Sequence, residues 1–183
     1  MPIIDSAPSR AYDPLQSVLA HLPDGMYGTY EGLCNFMLID PLVPMNVKEG
    51  LRYLSAVTIG CEFCRTFKEV DSDGNQLLPN SFYEEVAAGA PDWEACIEAK
   101  WAPTFEMATE VLGDGEITPR TLERLKANLT DSQIVESLFY LLLIGASHRF
   151  SHALGVDATC PVPTRLLAGG EAAAPLAQSS TGR

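Results

Sequence analysis

Cations are scarce in this chain. Its 183 residues carry 12 Lys and Arg against 24 Asp and Glu, a formal net charge of −12. Binding nucleic acid needs clustered Lys and Arg to neutralise phosphates, so that partner is excluded, and an anionic membrane surface is disfavoured. Long apolar runs are missing as well. The longest, Leu138 to Ala146, is well short of the ~20 residues that cross a bilayer. The first ten residues lack a basic stretch leading into an apolar one, so no secretory leader is expected and the chain reads as cytoplasmic. No alternation of apolar and polar residues runs long enough to suggest a strand. A second CxxC, or any other obvious zinc-completing pair, is also lacking, which leaves metal without a ligand set.

What is present is a globular composition, 46% hydrophobic and 20% charged, in a chain of a length that suits one domain with its own core. The apolar spacing is helical. Residues 1–12 are polar and proline-bearing and are expected to be poorly ordered. Short helices are expected over 12–22 and 27–39. Asn46 with Glu49 three residues on reads as a capping box, followed by Val47, Leu51, Leu54 and Thr58 at helical spacing. Gly60 suits the left-handed end of that helix, and Cys61 restarts the chain as another. Residues 71–75 read as a turn. Gln76 and Phe82 occupy positions that a calcium loop reserves for glycine and a bidentate acid, so such a loop is set aside.

Further on, a helix is expected from Asn80 or Ser81 to Ala88. Another should begin at Asp92 and carry Trp93, Trp101, Phe105 and Met107, with an interruption at Pro103. Thr118-Pro119 is an N-cap followed by proline in the first turn, with Leu122 and Leu125 as its buried face. Thr130 and Gln133 form a second capping box that launches a long helix to Leu154, stopped by Gly155. Its stretch from Leu138 to Ala146 is apolar nearly all round, so the helix is either central or covered by a partner subunit. Beyond residue 159 the chain is rich in Ala, Gly, Ser and Pro and reads as a tail. The expected fold is an all-α bundle over residues 13–158.

The residues that carry chemistry centre on Cys61-Glu62-Phe63-Cys64. Two cysteines at i and i+3 can exchange a disulfide, activate one thiolate, hold half of a metal site, or pack as small hydrophobes. Five cysteines, mostly scattered, in a reducing compartment do not make a disulfide framework. Near a helix start, unpaired N–H groups favour a thiolate. If the chain reverses at Gly60, Lys68 should approach Glu49, to relay a proton or form an ion pair. His148 and His152 share an i, i+4 spacing that can bind metal, although Arg149 stands where a zincin would have glutamate. His148 can equally serve as a polar group in a pocket, and the helix C-terminus alone favours histidine there.

Two stretches of the sequence together resemble a known family. Val47-Lys48-Glu49-Gly50-Leu51-Arg52 followed by Gly60-Cys61-Glu62-Phe63-Cys64, and then Leu129 to Glu136 with His148-Arg149-Phe150-Ser151-His152-Ala153-Leu154-Gly155, are similar to the core of the alkylhydroperoxidase D-like, carboxymuconolactone decarboxylase superfamily. The resemblance covers residues 45–157. It implies an all-helical bundle whose subunits pack into dimers, trimers or hexamers through apolar helices.

In peroxidase members a glutamate twelve residues before the first cysteine works with the CxxC pair and a histidine four residues after the second. Here Glu49, Cys61 and Cys64 match, while the histidine position is Lys68. The resemblance therefore implies a peroxide-reducing dithiol enzyme with no cofactor and no metal, reset by an external dithiol. Cys64 would attack and Cys61 resolve. The same fold also implies an alternative, a non-redox decarboxylase, lyase or isomerase acting on a small organic acid or lactone, with Glu49, Lys68 and His148 as acid, base and anion-holding groups. A third possibility is a non-catalytic helical oligomer whose dithiol senses redox state.

Overall fold

The computed structural model describes residues 41–89 and 91–155, with a few further positions between 21 and 33. The helices expected over 12–22 and 27–39 fall almost wholly outside these residues, as do the N-terminal stretch and the tail. Among the described residues from 41 onward, seven α-helices follow in order: α1 (Met45–Ile59), α2 (Glu62–Thr66), α3 (Asn80–Ala88), α4 (Trp93–Cys96), α5 (Ala102–Gly113), α6 (Pro119–Asn128) and α7 (Asp131–Ala153). A 3-10 turn, Ala99–Trp101, leads into α5. Among the described residues there is no strand, only an isolated antiparallel bridge between Val70 and Gln76. The all-α expectation is met, and no described helix is long and apolar enough to cross a membrane.

The helix ends show which local signals were strong enough to act alone. Thr130 accepts from the Gln133 N–H while the Gln133 side chain accepts from the Thr130 N–H, a complete capping box at the head of α7. Thr118 caps α6 with Pro119 in the first turn. The Asp71 carboxylate accepts from the Asp73 and Asn75 N–H groups and closes the expected turn. Other expectations need correction. Pro103 does not interrupt a helix. It sits in the first turn of α5, where its missing N–H costs nothing, and the break comes earlier, at Ile97 and Glu98. Leu122 is exposed and Leu125 alone of that pair is buried, because α6 meets its neighbours along a narrow stripe. Asn46 is not the cap of α1. The helix opens at Met45 after Pro44, and the Asn46 side chain accepts only from the next N–H.

Helix α1 is the axis of the bundle. Ten of its residues, Val47 to Ala56, are buried in succession, so it is enclosed on every side. It packs most extensively on α7, and also meets α5, α2 and α3. Gly50 lets α5 and α3 close in. A Cβ there would lie 2.7 Å from the Phe105 ring and 3.0 Å from Phe82 Cζ, inside van der Waals contact. Aromatic rings fill that corner, with Trp93 stacked on Phe105 and Phe82 edge-on to both Phe105 and Tyr83. At the other side of α1, the buried Lys48 ammonium meets Glu136 of α7 at 2.7 Å. Glu136 also accepts from the N–H groups of Leu42 and Val43, so one carboxylate ties the entry of α1 to α7.

Candidate functional site

The dithiol lies where α1 reverses. Gly60 takes a left-handed conformation, φ 83°, and both its N–H and that of Cys61 bond back to the Ala56 carbonyl at 3.0 Å. This Schellman-type closure favours glycine because a Cβ is strained at positive φ. The next turn, α2, is only five residues long. So short a helix has almost no macrodipole, and the helix-start activation expected for Cys61 is correspondingly weak. The turn does bring the two sulfurs together. Cys61 Sγ and Cys64 Sγ stand 2.8 Å apart as free thiols, Cys61 buried and Cys64 partly open.

Glu49 was expected as a capping residue with a possible approach from Lys68. The structure gives it another role. It is buried, and its carboxylate is held by Arg52, one turn along α1, in a two-pronged pair at 2.6 and 2.8 Å. The Tyr83 hydroxyl donates to the same carboxylate at 3.0 Å and the Glu69 N–H at 3.3 Å. Arg52 then reaches outward. Its remaining donors bond the Cys64 and Phe67 carbonyls, each at 2.7 Å. These are carbonyls left without partners where α2 ends. The chain Glu49, Arg52, Cys64 backbone thus locks the CxxC turn onto the centre of α1.

Burial opposes the Arg52 charge, but the hydrogen bonds and negative charge of Glu49 outweigh it and raise its pKa. Glu69, beside the same guanidinium, is held above the usual carboxylate range, first by burial and then by the Glu49 charge.

Lys68 does not pair with Glu49. Its ammonium bonds Asn80 Oδ1 at 2.9 Å and lies over the Tyr83 ring, 4.4 Å from the centroid. Arg52 takes the place expected for it because a guanidinium three residues away on the same helix matches a carboxylate with two parallel bonds. Lys68 touches Glu49 only through Tyr83. His148 is brought to α1 from α7, its Nδ1 3.0 Å from Ser55 Oγ in a buried pair. Burial, helped by the Arg52 charge, depresses its pKa to about 3, so the imidazole is neutral. His152 is exposed, and its Cε1 would lie 4.0 Å from a Cβ on Gly60, at the edge of the dithiol turn.

Of the five sequence candidates, Cys61, Cys64 and Glu49 belong to one connected unit. Lys68 is at its margin, and His148 joins it through Ser55 and the field of Arg52. Arg52, Tyr83 and Ser55 were not among the sequence candidates. The Glu49–Arg52 spacing is legible as an i, i+3 ion pair, but nothing local marks Tyr83, 34 residues from its partner. Cys96 is a different kind of thiol. It donates to Glu85 at 2.9 Å, and burial with the Glu85 carboxylate pushes its pKa up to about 11, which makes it a poor nucleophile. Cys34 and Cys160 lie outside the described residues.

Compared with family models, with curated proteins and with solved structures, the chain finds no match.

Proposed function

We propose that this protein is a thiol-dependent oxidoreductase that reduces hydroperoxides through Cys61 and Cys64, in the manner of the alkylhydroperoxidase D-like enzymes its motifs resemble. The observation that carries this reading is the contact of two free thiols at 2.8 Å, one buried and one partly open. That asymmetry suits a division of labour. The Cys64 thiolate attacks the terminal peroxide oxygen, the O–O bond breaks, and an alcohol or water leaves with a proton. Cys64 is left as a sulfenic acid. The Cys61 sulfur then attacks the Cys64 sulfur and expels water, forming the disulfide. An external dithiol returns two electrons and resets the pair.

In this scheme Glu49 and Arg52 are positioning residues. By fixing the Cys64 and Phe67 carbonyls they hold the CxxC turn in the one geometry that keeps both sulfurs in reach. Lys68, held by Asn80 and the Tyr83 ring, takes no proton in the scheme. A decarboxylase or isomerase would need Glu49, Lys68 and His148 turned toward one substrate. Each is instead engaged with a different partner: Arg52, Asn80 and Ser55.

The test is rapid mixing of the reduced protein with hydrogen peroxide or an organic hydroperoxide, with thiol loss followed by mass spectrometry. Cys61→Ser is expected to accumulate a trappable sulfenic acid on Cys64, while Cys64→Ser leaves the peroxide unconsumed. Peroxide turnover by Cys64→Ser at the wild-type rate would defeat the proposal.

A further inference from the structure

Helix α7 was expected to be central or covered by a partner, and in the single chain its outer face, with Val135, Phe139, Leu142 and Phe150, is open. A second feature that the chemistry above leaves unused is the carboxyl group of Glu69. The residue is pinned by its backbone on both sides. Its N–H donates to Glu49 Oε1 at 3.3 Å, and its carbonyl accepts from the Leu77 N–H at 3.2 Å. Its side chain is half-buried, and its carboxyl takes part in no hydrogen bond or ion pair among the described residues. A carboxyl drawn out of water and left without a partner carries a cost that an ordinary surface glutamate avoids.

The place it occupies is the inner edge of the dithiol turn. Glu69 lies two residues beyond Phe67, and one guanidinium, that of Arg52, holds the carbonyls of both Phe67 and Cys64 at 2.7 Å. The charged groups facing it are Glu49 and Arg52 on α1, and the Tyr83 hydroxyl of α3 senses it as well. Glu49 is already the anionic partner of Arg52. A second negative charge at Glu69 therefore has both burial and Glu49 against it, and Glu69 keeps its proton to a higher pH than an ordinary glutamate.

We infer that Glu69 is the acid that protonates the leaving oxygen when Cys64 attacks a hydroperoxide. The inference rests on the peroxidase reading and supplies the proton that the reaction needs. The Cys64 thiolate bonds to the terminal oxygen, which stays on sulfur as the sulfenic acid. The O–O bond breaks, its electron pair goes to the inner oxygen, and that oxygen takes the Glu69 proton. Sulfur is oxidised, the peroxide is reduced to an alcohol, and Glu69 is left as a carboxylate that regains its proton from water.

The neighbouring groups do not serve as well. Glu49 is held as an anion by two bonds from Arg52 and one each from Tyr83 and the Glu69 N–H. Tyr83 spends its proton on that carboxylate, and its pKa is pushed above the ordinary tyrosine range. His148 is buried and neutral, so it has no extra proton to give. Lys68 is turned to Asn80 and the Tyr83 ring, and Glu62 is exposed and paired with Arg65. A raised carboxyl is a better general acid near neutral pH than an ordinary one, because more of it is in the acid form.

The test compares two oxidants on the reduced full chain, with loss of the Cys64 thiol followed by rapid mixing and mass spectrometry. An alkyl hydroperoxide such as tert-butyl hydroperoxide expels an alkoxide, which needs a proton. Peracetic acid expels a carboxylate, which does not. Glu69→Gln keeps the shape and the backbone bonds, and is expected to slow the alkyl hydroperoxide about 100-fold while changing the peracid rate little. In the wild type the ratio of the two rates should fall as pH rises through the Glu69 range, since the acid form is consumed. Taking the ratio cancels the thiolate fraction, which both reactions share. In Glu69→Gln the ratio should be flat.

Equal slowing of both oxidants would make Glu69 a structural residue and overturn the inference, as would wild-type rates with both. If Glu69→Gln does not fold by circular dichroism, the pH dependence of the wild-type ratio decides alone, and a flat ratio overturns the inference. Absence of Cys64 loss with either oxidant in the wild type is a different failure. It overturns the peroxidase reading itself, and this inference with it.

Discussion

Replacing His148 by Asn should flatten the acid side of this protein's stability curve. The imidazole is buried against Ser55, close to the positive Arg52, and its pKa falls to about 3 from an ordinary value near 6.5. The folded chain therefore keeps His148 neutral over a range in which the unfolded chain protonates it. A depressed histidine contributes stability that is fully present above the unfolded value and is lost as pH falls through the window from about 6.5 toward about 3.

Each pH unit inside that window costs about 1.4 kcal/mol, so lowering pH from about 8 to about 5 should remove roughly 2 kcal/mol on account of this one side chain. Asparagine can offer an amide near the position of Nδ1 without titrating, and should abolish that increment. Glu69 works in the opposite sense. A carboxyl raised by burial gains protons on folding, so its contribution improves as pH falls through its own range, and it is common to both proteins. The assay is urea unfolding of wild type and His148→Asn at the same protein concentration and several pH values, comparing the change between them. If both lose the same free energy between about pH 8 and about pH 5, His148 is not buried and neutral, and the packing of α7 on α1 described above is wrong.

Two further consequences concern stability at constant pH. Arg52→Met leaves the Glu49 carboxylate buried with its main cationic partner gone and should cost about 3 to 5 kcal/mol, and it should also raise proteolytic susceptibility around residues 61–67 because two carbonyls lose their donor. An equal stability for wild type and variant would show that Glu49 finds other compensation. Gly50→Ala forces a methyl against the Phe105 and Phe82 rings and should cost about 1 to 3 kcal/mol, read as a lower urea midpoint with an unchanged slope.

Much of this architecture was legible from local chemistry. The capping box at Thr130 and Gln133, the Thr118-Pro119 start and the Gly60 reversal each involve groups within a few residues of one another. Such bonds form in almost any surroundings, so the sequence predicts them well. The same logic failed at Asn46, where a proline two residues earlier starts the helix and the glutamate meant for the cap is drawn inside. It failed again at Lys68, because the choice between two cations near Glu49 depends on which donor shares its helix and can form two bonds at once.

By itself the sequence determined the helical class, the close spacing of Cys61 and Cys64, and the turn that separates them from α1. Each follows from periodicity, residue type and neighbours along the chain. Only the tertiary structure decided what surrounds them. It buried Glu49 with Arg52, brought Tyr83 across from α3 and Ser55 against His148, made Cys61 the sheltered thiol and Cys64 the open one, and left one face of α7 bare. Those outcomes rest on contacts between residues far apart in the chain, where burial and directed hydrogen bonds choose among partners that spacing alone leaves equivalent.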